Sequence, residues 1–435
     1  MQRRLPVFAA LALALAAAAP TAAAQTFAIT NAHLVTPGPV GEVENGTVIV
    51  RDGRIAAAGA AIAVPSGMRI VDARGATVTP GLIAVNTALG LVEVNSVGGS
   101  VDNRTHNSGI SASFDVQYGL NPDSTLIPIA RLGGITHAVV MPDYDDSDQE
   151  RELPFAGKAA LITLGEGAAI LHRSGVGMML ELGEEGAARI GGSRAAEFVQ
   201  LRQIFDLARQ PPRDEYPFEL SQADVAALKP VLAGTMPLIV VVHRAADIRQ
   251  VLRLARDYKL KIILSGAEEA WRVADEIAAA KVPVLINPTS NIPSNFDMLG
   301  ASLQNASILK AAGVDIAIGG NDGGHRVREM RYNAGLAVSR GLPYAAGIEA
   351  LTLAPARIFG VGDQMGSIAP GKAADIVIWD GDPLEPLTQP TAIFIAGKKQ
   401  PLTSRATPRG PRDSASRVRG GRRRSRQSQY RPPPP

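Results

Sequence analysis

The sequence contains no cysteine, and this absence excludes several kinds of chemistry. With no Cys among its 435 residues, the chain forms no disulfide, thiolate zinc site or iron–sulfur cluster, and it has no thiol nucleophile. Aromatic residues are also scarce, at 4%. The 46% hydrophobic and 20% charged residues are ordinary for a globular protein. Stability must therefore come from a large aliphatic core.

Net positive charge is absent from the body of the chain and concentrated at its end. Residues 401–435 hold ten Arg and one Asp, and two Arg lie among the first residues. The overall charge of +3 therefore leaves about −8 for residues 25–400. We expect 401–435, rich in Arg and Pro, to be disordered. This segment is either a solvated tail or an arm that attracts anionic surfaces. We expect no nucleic-acid partner, because Tyr430 is its only aromatic residue that could stack on a base.

The first 24 residues have the layout of a secretory signal peptide. Positive MQRR precedes an apolar run, and small residues lead to Ala22, Ala23 and Ala24. We expect cleavage before Gln25 and an exported, periplasmic or secreted protein. The apolar run is short for a permanent anchor, and no later stretch is long and apolar enough for a transmembrane anchor.

The middle of the chain alternates between strand-like and helix-like segments. PLIVVVH reads as a strand buried on both faces, and AADIRQVLRLARDYKL has apolar residues at helical spacing. This alternation continues over residues 81–360 and predicts an α/β fold with a (β/α)8 TIM-like barrel. A doubly wound open sheet is the second choice, but no G-x-G-x-x-G follows the first strand.

Short strands at both ends of the chain predict a second, smaller domain. Asp52-Gly53 lies between two apolar runs, which indicates a hairpin. Further strand-like runs follow the barrel segment. We therefore expect a composite β-sandwich built from residues 25–80 and 361–400.

Polar residues directly after the predicted strands are candidate site residues. In a parallel barrel the active site lies at the carboxyl ends of the strands. Asn86 follows GLIAV, His243 follows LIVVV, Glu268 follows IILSGA, Asn287 follows PVLI and Asp322 follows DIAIGGN. Glu268 alternatively fits an acidic residue at the start of a helix.

Two stretches resemble the amidohydrolase superfamily. VTPGLIAVNTALG resembles its first barrel strand, P-G-L-I-D-x-H-x-H-x-G, and TLAPARIFGVGDQMGSIAPGKAADIVIWDGDPLE resembles its closing segment. The resemblance covers nearly all of residues 26–400 and is closest to imidazolonepropionase-like and exported members. It implies a metal-dependent barrel hydrolase with a composite β-sandwich.

The paired metal-binding histidines of that family are missing here. Asn86 and Ala88 stand in their places, and an amide is a weak ligand whereas a methyl group is none. The resemblance therefore implies at most one divalent ion, held by His243, Glu268 and Asp322. Zinc is the first choice, with manganese and iron as alternatives, and no ion binds if the site is inactive.

The resemblance also assigns roles around the ion. Asp322 would take the proton of the attacking water. Independently of the resemblance, Asn86, His325 and Arg328 are candidate substrate-binding residues, and His325 and Arg328 could equally be ordinary surface residues. His243 could equally be a hydrogen-bonded core histidine, and Asp322 within GGNDGG could form a turn.

Two functional hypotheses follow. The first is a hydrolase that cleaves non-peptide C–N bonds in a small-molecule substrate, such as a cyclic amide or an acyl-amino acid. The second is a catalytically silent member of the same fold that binds a ligand or pairs with an active relative. Homo- or hetero-oligomers fit both hypotheses, and the sequence does not choose between them.

Overall fold

The computed structural model describes residues 26–107, 109–144, 153–319 and 324–405. The predicted signal peptide and most of the Arg-rich tail therefore lie outside the described residues. In the described part, no helix is both long and apolar enough to span a membrane.

The chain begins with strands of the smaller sheet. They are β1 (Phe27–Val35), β2 (Glu42–Arg51), β3 (Arg54–Gly59), β4 (Arg69–Asp72) and β5 (Thr77–Pro80). The predicted hairpin joins β2 to β3, and Asp52 and Gly53 both have positive φ, at 49° and 75°. This backbone matches the right-handed twist of the two strands.

The barrel strands follow. They are β6 (Leu82–Thr87), β7 (Ile135–Val140), β8 (Phe155–Thr163), β9 (Leu171–Glu181), β10 (Leu238–Val242), β11 (Ile262–Gly266), β12 (Val284–Ile286) and β13 (Ile316–Ile318). They form one sheet in chain order from β6 to β13. Gly319 packs against the backbone of Val85, where an added Cβ would lie 3.2 Å from the carbonyl oxygen. This contact nearly closes the barrel.

One strand departs from the predicted parallel pattern. β8 is antiparallel to both β7 and β9, whereas the other neighbouring pairs are parallel. A short connection between Leu164 and Ile170 turns the chain directly from β8 into β9. A connection this short allows antiparallel pairing only, because a parallel crossover needs about a dozen residues.

The last strands return to the smaller sheet. They are β14 (Ile376–Trp379), β15 (Pro390–Ile395) and β16 (Lys398–Lys399), and β14 pairs with β5. Phe27 stacks on Phe394 with ring centroids 4.7 Å apart, although two strands separate β1 from β15 in the sheet. In a flat sheet that separation would be about 14 Å. The sheet therefore curls around its own core, as expected for a composite β domain, and the predicted fold class is confirmed.

Helices cover the outside of the barrel. They are α1 (Leu126–Arg131), α2 (Glu184–Arg189), α3 (Arg194–Ala208), α4 (Gln222–Leu232), α5 (Ala245–Tyr258), α6 (Ala274–Ala279), α7 (Asn305–Ala311), α8 (Met330–Ser339), α9 (Tyr344–Leu351) and α10 (Leu353–Ile358). Short 3₁₀ turns lie at Gly98–Ser100, Val116–Gly119, Ala270–Val273, Phe296–Met298 and Val327–Glu329. In α5 the buried face contains Ile248, Val251 and Ala255, as the helical spacing predicts.

Candidate functional site

A cavity of about 300 Å³ lies at the carboxyl ends of the barrel strands. Each parallel strand ends at its wall, which is where barrel enzymes place their active sites. The polar side chains of the wall include those of Asn86, Thr87, Asn103, Asp143, Glu181, His243, Ser265, Glu268, Asn287 and Ser290. Of the candidate residues found after predicted strands, the fold brings Asn86, His243, Glu268 and Asn287 together here. We call this space the mouth cavity.

Asn86 occupies an irregular position at the end of β6. Its φ is +54°, and the pairing of β6 with β7 shifts register between Ala84 and Thr87. Asn is among the side chains that tolerate this left-handed backbone best. The turn brings Asn86 to the cavity wall together with buried Ala88. Asn86 therefore places a side-chain amide at the cavity, where the family pattern has the imidazole of a histidine.

His243 and Glu268 form a hydrogen-bonded pair. His243 follows β10, Glu268 follows β11, and the imidazole Nδ1 contacts the Glu268 carboxylate. Gly266 makes room for the pair, because a Cβ there would lie 2.7 Å from Cε1 of His243. Its φ of +79° is also one that favours glycine.

The surroundings favour a protonated His243. Burial lowers the pKa of His243, but the hydrogen bond to Glu268 and the charges of Glu268 and Glu181 outweigh it, and the net pKa is raised above 6.5. A carboxylate bonded to Nδ1 also fixes the tautomer in the neutral state, with the proton on Nδ1 and the lone pair on Nε2.

Glu181 is a site residue that the sequence reasoning missed. It ends β9 and lines the mouth cavity, and its carboxylate is hydrogen-bonded to Arg189. Burial raises the pKa of Glu181, and Arg189 offsets part of that rise. The Arg189 guanidinium in turn lies 4.2 Å from the centre of the Tyr144 ring. Because Glu181 directly follows the apolar run GMML, the search for polar residues after strands could have found it.

The structure does not place the remaining predicted site residues, Asp322, His325 and Arg328, on the described wall of the mouth cavity. Asp322 is outside the described residues. His325 and Arg328 are exposed and are not among the described residues of the cavity wall. The Cβ of Arg328 packs against Gly133, just before β7 begins. Their role as substrate-binding residues stays a prediction.

The described residues of the mouth cavity do not by themselves fit a metal ion. His243 Nδ1 faces Glu268, and Glu181 is paired with Arg189. Within the described ranges, the only three His or acidic side chains with ligand atoms close enough for one ion are His33, Glu42 and Glu44, which lie on the small sheet. A metal in the cavity would need a further ligand, and Asp322 is the predicted one.

A well-anchored loop carries apolar side chains beside the cavity. The loop follows β12, and its Ile292, Phe296 and Leu299 are largely exposed. Buried Asp297 holds the loop in place, because its carboxylate accepts a hydrogen bond from the Glu184 backbone at 2.6 Å and pairs with Arg194. The loop begins at the cavity wall with Asn287 and Ser290, and its anchored backbone presents these apolar side chains to solvent.

Comparisons with known proteins agree with this picture. The Amidohydrolase family model matches residues 259–403. Amidohydrolase tasK of Hapsidospora irregularis is 24% identical over 400 residues, which cover 82% of this chain. The match spans only 39% of that longer protein.

Solved structures share the fold. An amidohydrolase from Thermotoga maritima MSB8 aligns with a TM-score of 0.74 and 22% identity, covering 86% of this chain and 99% of that one. Molinate hydrolase aligns with a TM-score of 0.53 and 18% identity, covering 89% and 99%. The Amidohydrolase family model supports the resemblance seen in the sequence over residues 259–403, and the solved structures share the fold of this chain.

Proposed function

We propose that the protein is a hydrolase that cleaves C–N bonds other than peptide bonds in small molecules, such as cyclic amides or acyl-amino acids. The observation that carries this proposal is the His243–Glu268 pair on the wall of the mouth cavity. A histidine oriented by a carboxylate is a common general base, and the strand ends of a barrel are where such groups act. The cavity volume of about 300 Å³ suits a small substrate.

The chemistry of the pair follows from its hydrogen bond. Glu268 accepts the Nδ1 proton, so the Nε2 lone pair of neutral His243 takes a proton from water. The resulting hydroxide adds to the amide carbonyl carbon, and the C–N bond breaks as the tetrahedral intermediate collapses. His243 then returns its proton to the leaving nitrogen, which yields an acid and an amine. Asn86 is placed to donate a hydrogen bond to a substrate oxygen.

Metal dependence is a finer part of the proposal. The superfamily usually binds a metal, and we propose a second form of the reaction with one divalent ion, zinc ahead of manganese and iron, for which His243, Glu268 and Asp322 would be the ligands. In that form His243 would be a ligand rather than the base, and Asp322 would take the proton of the attacking water. The described residues do not complete this set of metal ligands. The hydrolysis steps given above therefore use only protein side chains and water. Elemental analysis of protein purified without chelators tests the ion. A metal lost in His243→Asn but kept in His33→Asn belongs to the mouth cavity, and the reverse result assigns it to the surface cluster.

One specific observation favours the alternative of a silent binding protein. Asn86 and Ala88 replace the two histidines that the family pattern places on its first strand. A cavity that keeps its shape but lacks these ligands would still bind a small molecule or support an active partner. This alternative predicts saturable ligand binding without turnover.

A panel of substrates separates the two functions. Purified protein is incubated with N-acyl-amino acids and cyclic amides, and released amine or opened ring is measured beside calorimetric binding. Turnover of at least one class supports the hydrolase. Binding of the same compounds with no product, with and without added zinc or manganese, overturns the hydrolase and supports the binding protein.

We also propose that the protein is exported, on the layout of residues 1–24. Sequencing the amino terminus of protein from the producing cells tests this. A mature chain that begins at Gln25 agrees with the proposal, and a retained Met1 contradicts it.

A further inference from the structure

A second and larger cavity lies at the opposite end of the barrel. Its volume is about 800 Å³, and its walls come from the first half of β9, from the segments that precede or begin β10, β11, β12 and β13, and from the ends of α6 and α10. We call it the basal cavity. A five-residue strand such as β10 is roughly 16 Å long, so the two cavities lie at opposite ends of the barrel. Packed side chains, including Ile239, Leu285 and Ala317, fill the interior.

The basal cavity has a strongly positive rim. Arg173, Lys261, Lys281 and Arg357 line it, against one acidic side chain, Asp315. This concentration contrasts with the net charge of about −8 on residues 25–400. The rim of the basal cavity is therefore positively charged, whereas residues 25–400 as a whole carry a net negative charge.

Three of these cations have no carboxylate partner among the described residues. Arg357 is neutralised, because its guanidinium bridges Asp315 at 2.7 Å and Glu349 at 2.8 Å. Arg173 donates to backbone carbonyls at the end of α10, which leaves its charge uncompensated. In the described part of the chain, no acidic side chain lies within ion-pair distance of Lys261 or Lys281. The rim is thus complementary to an anion.

The walls between these cations are apolar. Val176, Ile262, Val282 and Phe359 line the cavity and are almost completely buried. Lys261 and Lys281 directly precede β11 and the short segment that leads into β12, so both lysines stand at the same edge of the sheet. A ligand that satisfies both features has an apolar body and one anionic end.

We propose that the basal cavity binds an amphipathic carboxylate, with its apolar part against Ile262 and Val282 and its carboxylate at Lys261 and Lys281. Lysine ammonium groups at an open rim attract a carboxylate, and apolar walls in a concave site supply most of the buried area. This site is separate from the mouth cavity and does not depend on the hydrolase reaction.

Calorimetric titration with octanoate tests the proposal. We expect binding near one equivalent, at least tenfold tighter than that of 1-octanol and weakened by added salt. The double variant Lys261→Glu/Lys281→Glu should lose at least tenfold in affinity. Both side chains are exposed, so the variant should fold.

The matched control is Lys398→Glu/Lys399→Glu, which makes the same change in net charge on exposed β16. It should bind octanoate like the unaltered protein. An absence of binding at millimolar octanoate would overturn the proposal. It would also be overturned by equal affinity in the two double variants, because the octanoate would then lie elsewhere, for example in the mouth cavity.

Discussion

Glu268 should control the titration of His243. Replacing Glu268 with Gln removes the negative charge that raises the pKa of His243 and leaves a neutral amide oxygen as a weaker hydrogen-bond acceptor, while burial continues to lower that pKa. Opposite charges within about 4–6 Å shift a pKa by about one to three units. We therefore expect the pKa of His243 to lie above 6.5 in the unaltered protein and to be lower in Glu268→Gln than in the unaltered protein.

Nuclear magnetic resonance of the imidazole ¹⁵N signals measures this titration without a substrate. Glu42→Gln is the matched control, because Glu42 contacts a different histidine, His33, at 2.9 Å on the small sheet. It should leave the His243 titration unchanged. A His243 pKa at or below 6.5, or one that Glu268→Gln does not lower, would refute the pairing.

The raised pKa of His243 also fixes the sign of its effect on stability. Its folded pKa is above the value in the unfolded chain, so the contribution of the pair to stability is complete below about pH 6.5. It is lost as the pH rises through the folded pKa. Because the proposed base must be neutral, turnover should instead rise with pH through the same pKa.

Three further predictions concern the supports of the fold and site. Gly266→Ala should lower the free energy of unfolding more than Gly75→Ala, as measured by chemical denaturation. Both glycines have a φ of +79°, but only at Gly266 is there no room for a Cβ. Equal losses of stability in the two variants would contradict the contact with His243. Burial raises the pKa of Glu197 to about 8, so the free energy of unfolding should fall as the pH rises from about 4.5 to 8. Glu197→Gln should reduce the slope of that fall by up to about 1.4 kcal/mol per pH unit. An unchanged slope in chemical denaturation at several pH values would refute this. Arg331→Met should lower the free energy of unfolding by about 3 kcal/mol or more, because buried Arg331 donates to four backbone carbonyls between Pro383 and Thr388. Arg326→Met, at an exposed site, is the control, and a similar small loss in both variants would count against that role.

Regular apolar patterns allowed much of the fold to be predicted. The continuous run at β10 and the helical spacing in α5 each correspond to observed elements. The direction of β8 could not be predicted in this way. A buried strand has the same apolar pattern whether it is parallel or antiparallel, and only its short connection to β9 fixes the direction.

The site was predictable only in part, because strand ends show where a side chain is but not what it contacts. Asn86, His243 and Glu268, chosen by their position after apolar runs, line one cavity, and their roles there stay predictions. The bond between His243 and Glu268 depends on the backbone of Gly266, which the sequence does not reveal. Arg189, which pairs with Glu181, lies on a separate helix, α2. The ligand role predicted for Asp322 remains a prediction.

The most direct test of the central claim is the rate of amide hydrolysis by His243→Asn beside His33→Asn, on the best substrate of the panel. Loss of a general base typically costs about 10²–10⁴-fold in rate. We predict a loss of at least 100-fold in His243→Asn and an unchanged rate in His33→Asn. Equal rates in the two variants would contradict the claim that His243 carries the reaction in the mouth cavity.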